Sequence, residues 1–169
     1  MTFTPPLSAW PAFDADKPHP FFVGAAHVFN AWCGFGVPVP FAIAMVTMAD
    51  MEAAFKAAVV GDHGSAYGIY QEHKDRAERI KIKIGVDMLA SPAPSLFDQC
   101  RAAWWELNNT ETRAREMILA ANNAGDASRA ATTYFERAGA GSAADRRAAE
   151  GERWSAWIGQ HLDWVQAQG

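Results

Sequence analysis

Three glycines interrupt a chain that is otherwise dominated by helical patterns, within the segment Val60-Gly61-Asp62-His63-Gly64-Ser65-Ala66-Tyr67-Gly68-Ile69-Tyr70-Gln71-Glu72-His73. Glycine at this density disfavours a continued helix and permits the backbone conformations of tight turns. We therefore predict a tight turn or short hairpin in this segment. Glycines also let the backbone approach a flat ligand closely. Groups that stack on a sugar or hydrogen-bond to it are supplied by Tyr67, Tyr70, Gln71 and His73.

The predicted helix before this segment carries an acid on its apolar stripe. The stripe recurs at steps of three and four residues and consists of Phe41, Met45, Met48, Glu52 and Phe55. An isolated carboxyl in an apolar setting has a raised pKa and tends to keep its proton at neutral pH. Such an acid can donate a proton to a leaving-group oxygen, which is the first requirement for cleaving a glycosidic bond. Spacing alone leaves a second interpretation open, in which Glu52 lies at the helix edge and extends into water.

The acid and the glycine-rich segment together form a recognisable pattern. Its residues are Glu52, Gly61, Asp62, Gly64, Tyr67, Gly68, Ile69, Gln71, His73, Asp75 and Arg76. This pattern resembles the phage tail lysozyme family and, more distantly, the goose-type lysozymes and soluble lytic transglycosylases. Downstream, Trp104-Trp105-Glu106-Leu107 and Tyr134-Phe135-Glu136-Arg137 resemble the second half of that family. The resemblance spans roughly residues 25 to 140, and the Gly-Tyr-Gly and Gln positions are its most specific part.

The resemblance implies a mainly α, lysozyme-like helical domain with a small β-hairpin next to the active-site helix. It implies a peptidoglycan-degrading glycosidase, or muramidase, of a phage or phage-like particle that cleaves the β-1,4 bond between N-acetylmuramic acid and N-acetylglucosamine. Glu52 would be the general acid. A second carboxylate would come first from Asp62, and then from Asp75 or Asp50. The expected substrate-binding residues are Tyr67, Gly68, Tyr70, Gln71 and His73.

Two alternatives to a hydrolase stay open. A lytic transglycosylase would use Glu52 first as acid and then as base, with the muramic acid 6-hydroxyl as the attacking group. A catalytically decayed module would bind wall polymer or a neighbouring virion subunit without cutting. The second alternative is suggested by departures from the family pattern. Ala53 and Ala54 stand where Ser or Thr and then Gly are usual, and Glu72 stands where an aromatic residue is usual.

Length and composition indicate one compact domain. The 169 residues are 50% hydrophobic and include seven tryptophans, enough to fill a substantial core. We predict an extended arm over residues 1–20 and a single lysozyme-like domain over 21–169, in which 141–169 is a candidate accessory C-terminal helix. The formal charge of -4 disfavours nucleic acid as a partner. The expected partners are peptidoglycan glycan strands and, as a further candidate, other virion or tail proteins.

The sequence gives no reason to expect a cofactor or a metal. Its five histidines lack the close spacing of zinc ligands, and its two cysteines, Cys33 and Cys100, lie in apolar contexts typical of free thiols. Residues 1–20 do not resemble a secretion signal, and the apolar run from Phe21 to Ala49 is interrupted too often for a stable membrane span. A signal-anchor remains the alternative for that run. We expect the protein in the virion or the host cell, acting in the bacterial periplasm or cell wall.

Several further elements are ambiguous or rest on short patterns. The alternation Ile80-Lys81-Ile82-Lys83-Ile84 fits a strand, and the resemblance favours a helix there. Thr110 and Asp126 are predicted helix caps, and Ser95 with Asp98 is a predicted capping box. A last helix is predicted from Ser142, with a tryptophan-rich face that belongs to the core or, if exposed, to a docking surface. Gly139 to Gly141 is a candidate hinge.

Overall fold

The computed structural model describes residues 9–61, 63–136 and 142–169, which are mainly helical with a small antiparallel sheet, and this confirms the predicted fold class. The α-helices of this part of the chain are α1 (Pro20–Gly34), α2 (Val39–Ala53), α3 (Lys74–Ile84), α4 (Leu96–Asn109), α5 (Thr112–Leu119), α6 (Ala124–Ala130), α7 (Ser142–Gln160) and α8 (Leu162–Gln166). A π-helical turn, Ala131–Phe135, extends α6. The strands are β1 (Val60–Gly61), β2 (Ala66–Tyr67) and β3 (Glu72–His73).

Helix α2 is the centre of the molecule. Every residue from Phe41 to Asp50 is buried, because α2 is apolar around its whole circumference and α1, α6 and α7 pack against it. Exposure is confined to the two ends of the helix: Val39 at its start is exposed, and Met51 and Glu52 in the last turn are partly exposed. The acid therefore lies where the central helix emerges from the core.

The end of α2 differs from the predicted stripe. The helix ends at Ala53, and Ala54 and Phe55 both adopt left-handed backbone conformations, with φ of 46° and 61°. Phe55 is buried as predicted, but it packs against Phe21 and Trp154 after the chain has reversed, and it does not continue the helical face. The reversal directs the chain towards β1.

The three strands form one antiparallel sheet in the order β1-β2-β3, with Val60 opposite Tyr67 and Ala66 opposite His73. The Gln71 side chain lies across Gly61, where any Cβ would collide with the Gln71 side-chain oxygen. Gln71 Nε2 also donates to the Gly68 carbonyl oxygen at 2.8 Å. A side chain at residue 61 would therefore displace the end of the Gln71 side chain, which packs against the sheet.

The ambiguous segment after the sheet is the helix α3. Ala77 and Ile80 are buried, while Ile82 is 79% exposed, which is the pattern of a helix with one buried face. A strand with its alternate residues buried would have placed Ile80 and Ile82 on the same side. The helical interpretation is confirmed.

The predicted helix caps had mixed outcomes. Ser95 Oγ accepts a hydrogen bond from the Asp98 backbone N–H at 3.1 Å and caps α4 as predicted. The predictions for Thr110 and Asp126 are wrong as N-caps. Thr110 follows the end of α4, and the cap of α6 is Asn123, whose side-chain oxygen accepts from the Asp126 N–H at 2.8 Å.

The tryptophan-rich face of α7 belongs to the core. Trp154 is fully buried, and Trp10 and Phe13 of the extended N-terminal segment pack against Trp154 and Trp157, respectively. The candidate hinge Gly139–Gly141 lies outside the described residues. Cys33 and Cys100 are both free thiols. Among the described helices, none combines the length and apolar character that a membrane crossing requires.

Candidate active site

The Glu52 carboxylate forms an ion pair with Arg147 of α7. Its side chain is 19% exposed, so it lies neither deep in the core nor in bulk water. The prediction of an isolated carboxyl is therefore wrong, because the guanidinium reaches it from a helix 95 residues further along the chain. Arg147 Nη1 also contacts Met48 Sδ at 3.5 Å, which places the guanidinium against the last two turns of α2.

A second glutamate, Glu136, lies beside this ion pair. Thr132 of the π-helical turn contacts Met48 Sδ at 3.8 Å, and Glu136 follows Thr132 by four residues just as Glu52 follows Met48. The charges of Glu52 and Arg147 both act on Glu136, so the second acid lies in the neighbourhood of the ion pair. The backbone N–H of Glu136 bonds to the Ala131 carbonyl at 3.1 Å, the wide spacing of a π-helix. Such turns occur frequently at functional sites.

The surroundings of Glu136 favour its neutral form. Burial, followed by the negative charge of Glu52, raises its pKa from 4.5 to about 8, although Arg147 and Arg76 oppose the change. Its Oε1 atom is buried and has no hydrogen-bond partner within the described part of the chain. Glu136 is thus an acid that retains a proton near neutral pH beside a carboxylate paired with arginine.

The sheet is joined to the helices by a buried ionic network around Arg76. The Arg76 guanidinium binds Glu106 through two hydrogen bonds of 2.8 Å, and its Nε lies 2.9 Å from Glu72 of β3. Arg76 thus ties β3 of the sheet to a carboxylate on α4. Burial raises the pKa of Glu72 well above its ordinary value, with further contributions from the nearby Glu106 and Glu136 and against the effect of Arg76.

A groove of about 490 Å³ opens between the start of α3, the end of α4 and the π-helical turn. Its described lining consists of His73, Asp75, Arg76, Arg79, Thr110, Glu111, Phe135 and Glu136. Glu52 is not among these residues, although its charge acts on Glu136, which is. The volume is in the range of sites that hold small ligands or single sugar units.

The predicted substrate-binding residues are divided between surface and core. His73 is exposed and lines the groove. Tyr67 and Gln71 are half-buried, and both bond within the hairpin, since the Tyr67 hydroxyl donates to the Gly64 carbonyl at 2.6 Å. Tyr67 also faces a different groove of about 370 Å³, beside residues 88–93.

Tyr70 and Gly68 do not lie on a surface that a glycan contacts. Tyr70 is fully buried, and its hydroxyl accepts a hydrogen bond from Trp32 Nε1 at 2.8 Å. Gly68 is buried against Gln99, whose side-chain oxygen accepts from the Ile69 N–H and would collide with any Cβ at residue 68. Both residues build the hairpin, and the expectation that they touch substrate is corrected on this ground.

The candidates for the second carboxylate are placed differently. Asp62 lies outside the described residues. Asp75 is exposed and lines the groove. Asp50 is buried and accepts a hydrogen bond from Trp154 Nε1 at 3.0 Å, on the tryptophan side of α2. Asp75 therefore has access to the groove, whereas Asp50 belongs to the core.

The profile of the phage tail lysozyme family matches residues 24–158, which is more than half of the chain. The chain belongs to the phage tail lysozyme family. The resemblance inferred from the sequence is confirmed. Neither the comparison with curated proteins nor that with solved structures gives a match. Family membership supports a lysozyme-like enzyme with peptidoglycan as its substrate class, and is consistent with a virion-associated protein that acts on the cell wall.

Two residues near the candidate site were not assigned a role from the sequence. Glu136 stands in the Tyr-Phe-Glu-Arg run that resembles the family, and this run was the available indication of its importance. Arg147 lies in a polar helical segment, and no pattern in the sequence links it to Glu52. Within the described residues there is no group of three or more histidines, cysteines or acids arranged to hold a metal ion.

Proposed function

We propose that the protein is a muramidase that cleaves the β-1,4 bond between N-acetylmuramic acid and N-acetylglucosamine, with Glu52 as general acid. The observation that carries this proposal is the position of Glu52, in the partly exposed last turn of the central buried helix and beside both Arg147 and Glu136. Two carboxyls next to one guanidinium can hold a proton and a negative charge together. General-acid catalysis of glycoside cleavage needs such a combination.

In the proposed reaction, the protonated Glu52 gives its proton to the glycosidic oxygen while the sugar ring gains oxocarbenium character. Arg147 then stabilises the carboxylate that remains. We propose that His73 and Asp75, which line the groove, contact the glycan, whereas Tyr67 and Gln71 maintain the shape of the hairpin.

The attacking group decides between two chemistries. A water activated by a second carboxylate would give a reducing sugar end, and Asp62 remains the first sequence candidate for this base, followed by Asp75. Attack by the muramic acid 6-hydroxyl, with Glu52 as base, would give a 1,6-anhydro end and make the protein a lytic transglycosylase. We propose that the protein acts in the periplasm or cell wall, from the virion or from within the host cell.

The test is loss of turbidity of a purified cell-wall suspension. The native protein should clear the suspension, and Glu52→Gln should not, while it keeps the native circular dichroism spectrum. Glu78→Gln, which changes an exposed glutamate on α3, is the matched control and should clear as the native protein does. Equal clearing by Glu52→Gln would remove Glu52 from the mechanism. Mass spectrometry of the fragments then distinguishes reducing ends from 1,6-anhydro ends.

A second candidate function is a binding module that retains the lysozyme shape without cutting. The specific observation in its favour is that Ala54, directly after the C-terminal end of α2, adopts a left-handed conformation. The family usually has glycine at this position. Cosedimentation with wall fragments discriminates the two functions. Equal binding by the native protein and Glu52→Gln, with no clearing by either, would support the module.

A further inference from the structure

Helix α3 concentrates positive charge in an acidic chain. It carries five lysines and arginines and two acids, whereas the whole chain has a formal charge of -4. The same helix forms one wall of the groove of about 490 Å³, through Asp75, Arg76 and Arg79. The helix that forms this wall therefore has the opposite charge to the protein as a whole.

Arg79 is a cation of this wall that is open to a ligand. Its side chain is exposed, and it forms no ion pair or hydrogen bond with another described residue. Asp75 lies one turn earlier on α3, at a spacing that often gives an ion pair, but the two side chains are not paired. Arg76, in contrast, is bound to both Glu72 and Glu106.

The acids in the described lining do not cover the Arg79 guanidinium. Glu136 favours its neutral form, because burial and then the charge of Glu52 raise its pKa to about 8. Glu111 is buried, and Asp75 is exposed. A ligand that enters the groove therefore meets an open carboxylate and an open guanidinium on the same helix.

Carboxylate is the anionic group that a wall glycan strand offers. N-Acetylglucosamine is uncharged, whereas muramic acid carries a lactyl carboxyl, which is either free or extended by a peptide with carboxylates of its own. The planar guanidinium of arginine binds a carboxylate through two parallel hydrogen bonds. Such a pair is stronger in a groove than on an open surface, because less water screens it.

We propose that Arg79 is a specificity-determining residue that binds a carboxylate of the muramoyl unit, either the lactyl carboxyl itself or a carboxylate of the attached peptide. This inference rests on the proposed function, which takes the groove as the glycan site. Arg79 thereby distinguishes wall glycan from chitin chains, which have β-1,4-linked amino sugars and no carboxylate. It also places a muramoyl unit beside α3, and so sets the register of the strand in the groove.

The experiment measures binding to the Glu52→Gln protein, in which the strand should stay uncut. The three soluble probes are glycan strands with peptides, strands freed of peptides by an amidase, and chitin oligosaccharides. Addition of Arg79→Gln should raise the Kd for peptide-bearing strands by at least about fivefold, between the effects of an exposed ion pair and of a charge-assisted hydrogen bond. The Kd for chitin oligosaccharides should not change.

The strands freed of peptides identify the source of the carboxylate. They keep the lactyl carboxyl, so a similar rise in Kd on these strands assigns the contact to that group. A rise confined to peptide-bearing strands assigns the contact to the peptide. Both results support the proposed subsite.

Lys83→Gln is the matched control, because it removes one exposed positive charge from the same helix outside the described groove lining. It should change the Kd by less than about twofold. Arg79→Lys keeps the charge and should restore part of the affinity. The proposal would be overturned by an unchanged Kd in Arg79→Gln, by an equal rise in Lys83→Gln or by an equal rise for chitin oligosaccharides.

Wall clearing separates failure of this inference from failure of the proposed function. In the protein that retains Glu52, Arg79→Gln should raise KM more than it lowers kcat, since the contact is made in binding. Strand binding that depends on Arg79, without clearing by the native protein, would reject the muramidase and keep the carboxylate subsite. Clearing that depends on Glu52, with binding unchanged by Arg79→Gln, would reject the subsite alone.

Discussion

Ionisation of Asp50 should destabilise the folded protein as pH rises from acid to neutral. Replacing Asp50 with asparagine should remove this destabilisation. Asp50 is buried on α2, where burial raises its pKa from 3.8 to about 6, Glu150 raises it further, and the hydrogen bond from Trp154 opposes the change. A folded-state pKa above the unfolded value means that the folded protein binds the proton more tightly. The stabilising effect of that proton is complete below about pH 3.8 and is lost as pH rises through about 6.

The magnitude follows from the shift of about two pH units. At 1.36 kcal/mol per unit, ionisation of Asp50 costs the folded state about 3 kcal/mol by pH 7, of which about 2 kcal/mol is lost between pH 4 and pH 7. Asparagine keeps an oxygen that can accept the Trp154 N–H, but it adds a buried NH₂ group. The cost of that group is the same at both pH values, so it cancels in the difference.

Urea unfolding, followed by tryptophan fluorescence at pH 4 and pH 7, measures this difference. The free energy of unfolding of Asp50→Asn relative to the native protein should be about 2 kcal/mol more favourable at pH 7 than at pH 4. Asp163→Asn, an exposed aspartate of α8, is the control and should show no such difference. An equal effect of Asp50→Asn at both pH values would refute the reasoning, because it would show that Asp50 titrates normally in the folded protein.

Three further predictions concern stability and can be measured by the same unfolding assay. Ala54→Gly should raise the free energy of unfolding by about 1 kcal/mol, because Ala54 has a left-handed φ of 46°, and no gain would mean that the turn is unstrained. Arg76→Lys should lower it by about 2 kcal/mol, since lysine cannot make the two parallel 2.8 Å bonds to Glu106, and a neutral result would mean that these bonds are replaceable. Tyr70→Phe should lower it by about 1–3 kcal/mol by leaving Trp32 Nε1 without its acceptor, whereas unchanged stability would place the hydroxyl outside the core network.

Some features that depend on neighbouring residues could be predicted from the sequence, although the caps of α5 and α6 were not. The Ser95 cap needs only the Asp98 N–H three residues away, and it was predicted correctly. The turns after residue 60 follow from the conformational freedom of glycine, and the sheet forms there as expected. Helix α3 was less certain, because five alternating residues fit both the helical and the strand period. The exposure of Ile82 beside buried Ile80 decides for the helix.

Features that depend on distant residues could not be predicted in this way. Helix α2 is buried on all sides, so its residues do not define one apolar face, and periodicity could not show what Glu52 meets. Arg147 reaches Glu52 from α7, and no local pattern encodes that contact. Tyr70 is a similar case, since a sheet of two-residue strands is too short for alternation to separate core from surface.

The three departures from the family pattern affect the scaffold of the site more than its chemistry. Ala53 is buried at the end of α2, so the hydroxyl usual at this position would face the interior. Ala54 carries backbone strain in the turn, and Glu72 is buried in the Arg76 network. None of the three is among the described residues that line the groove. Since these residues act on the turn and on the anchoring of the hairpin, we expect them to change stability first and wall cleavage only through the position of Glu52.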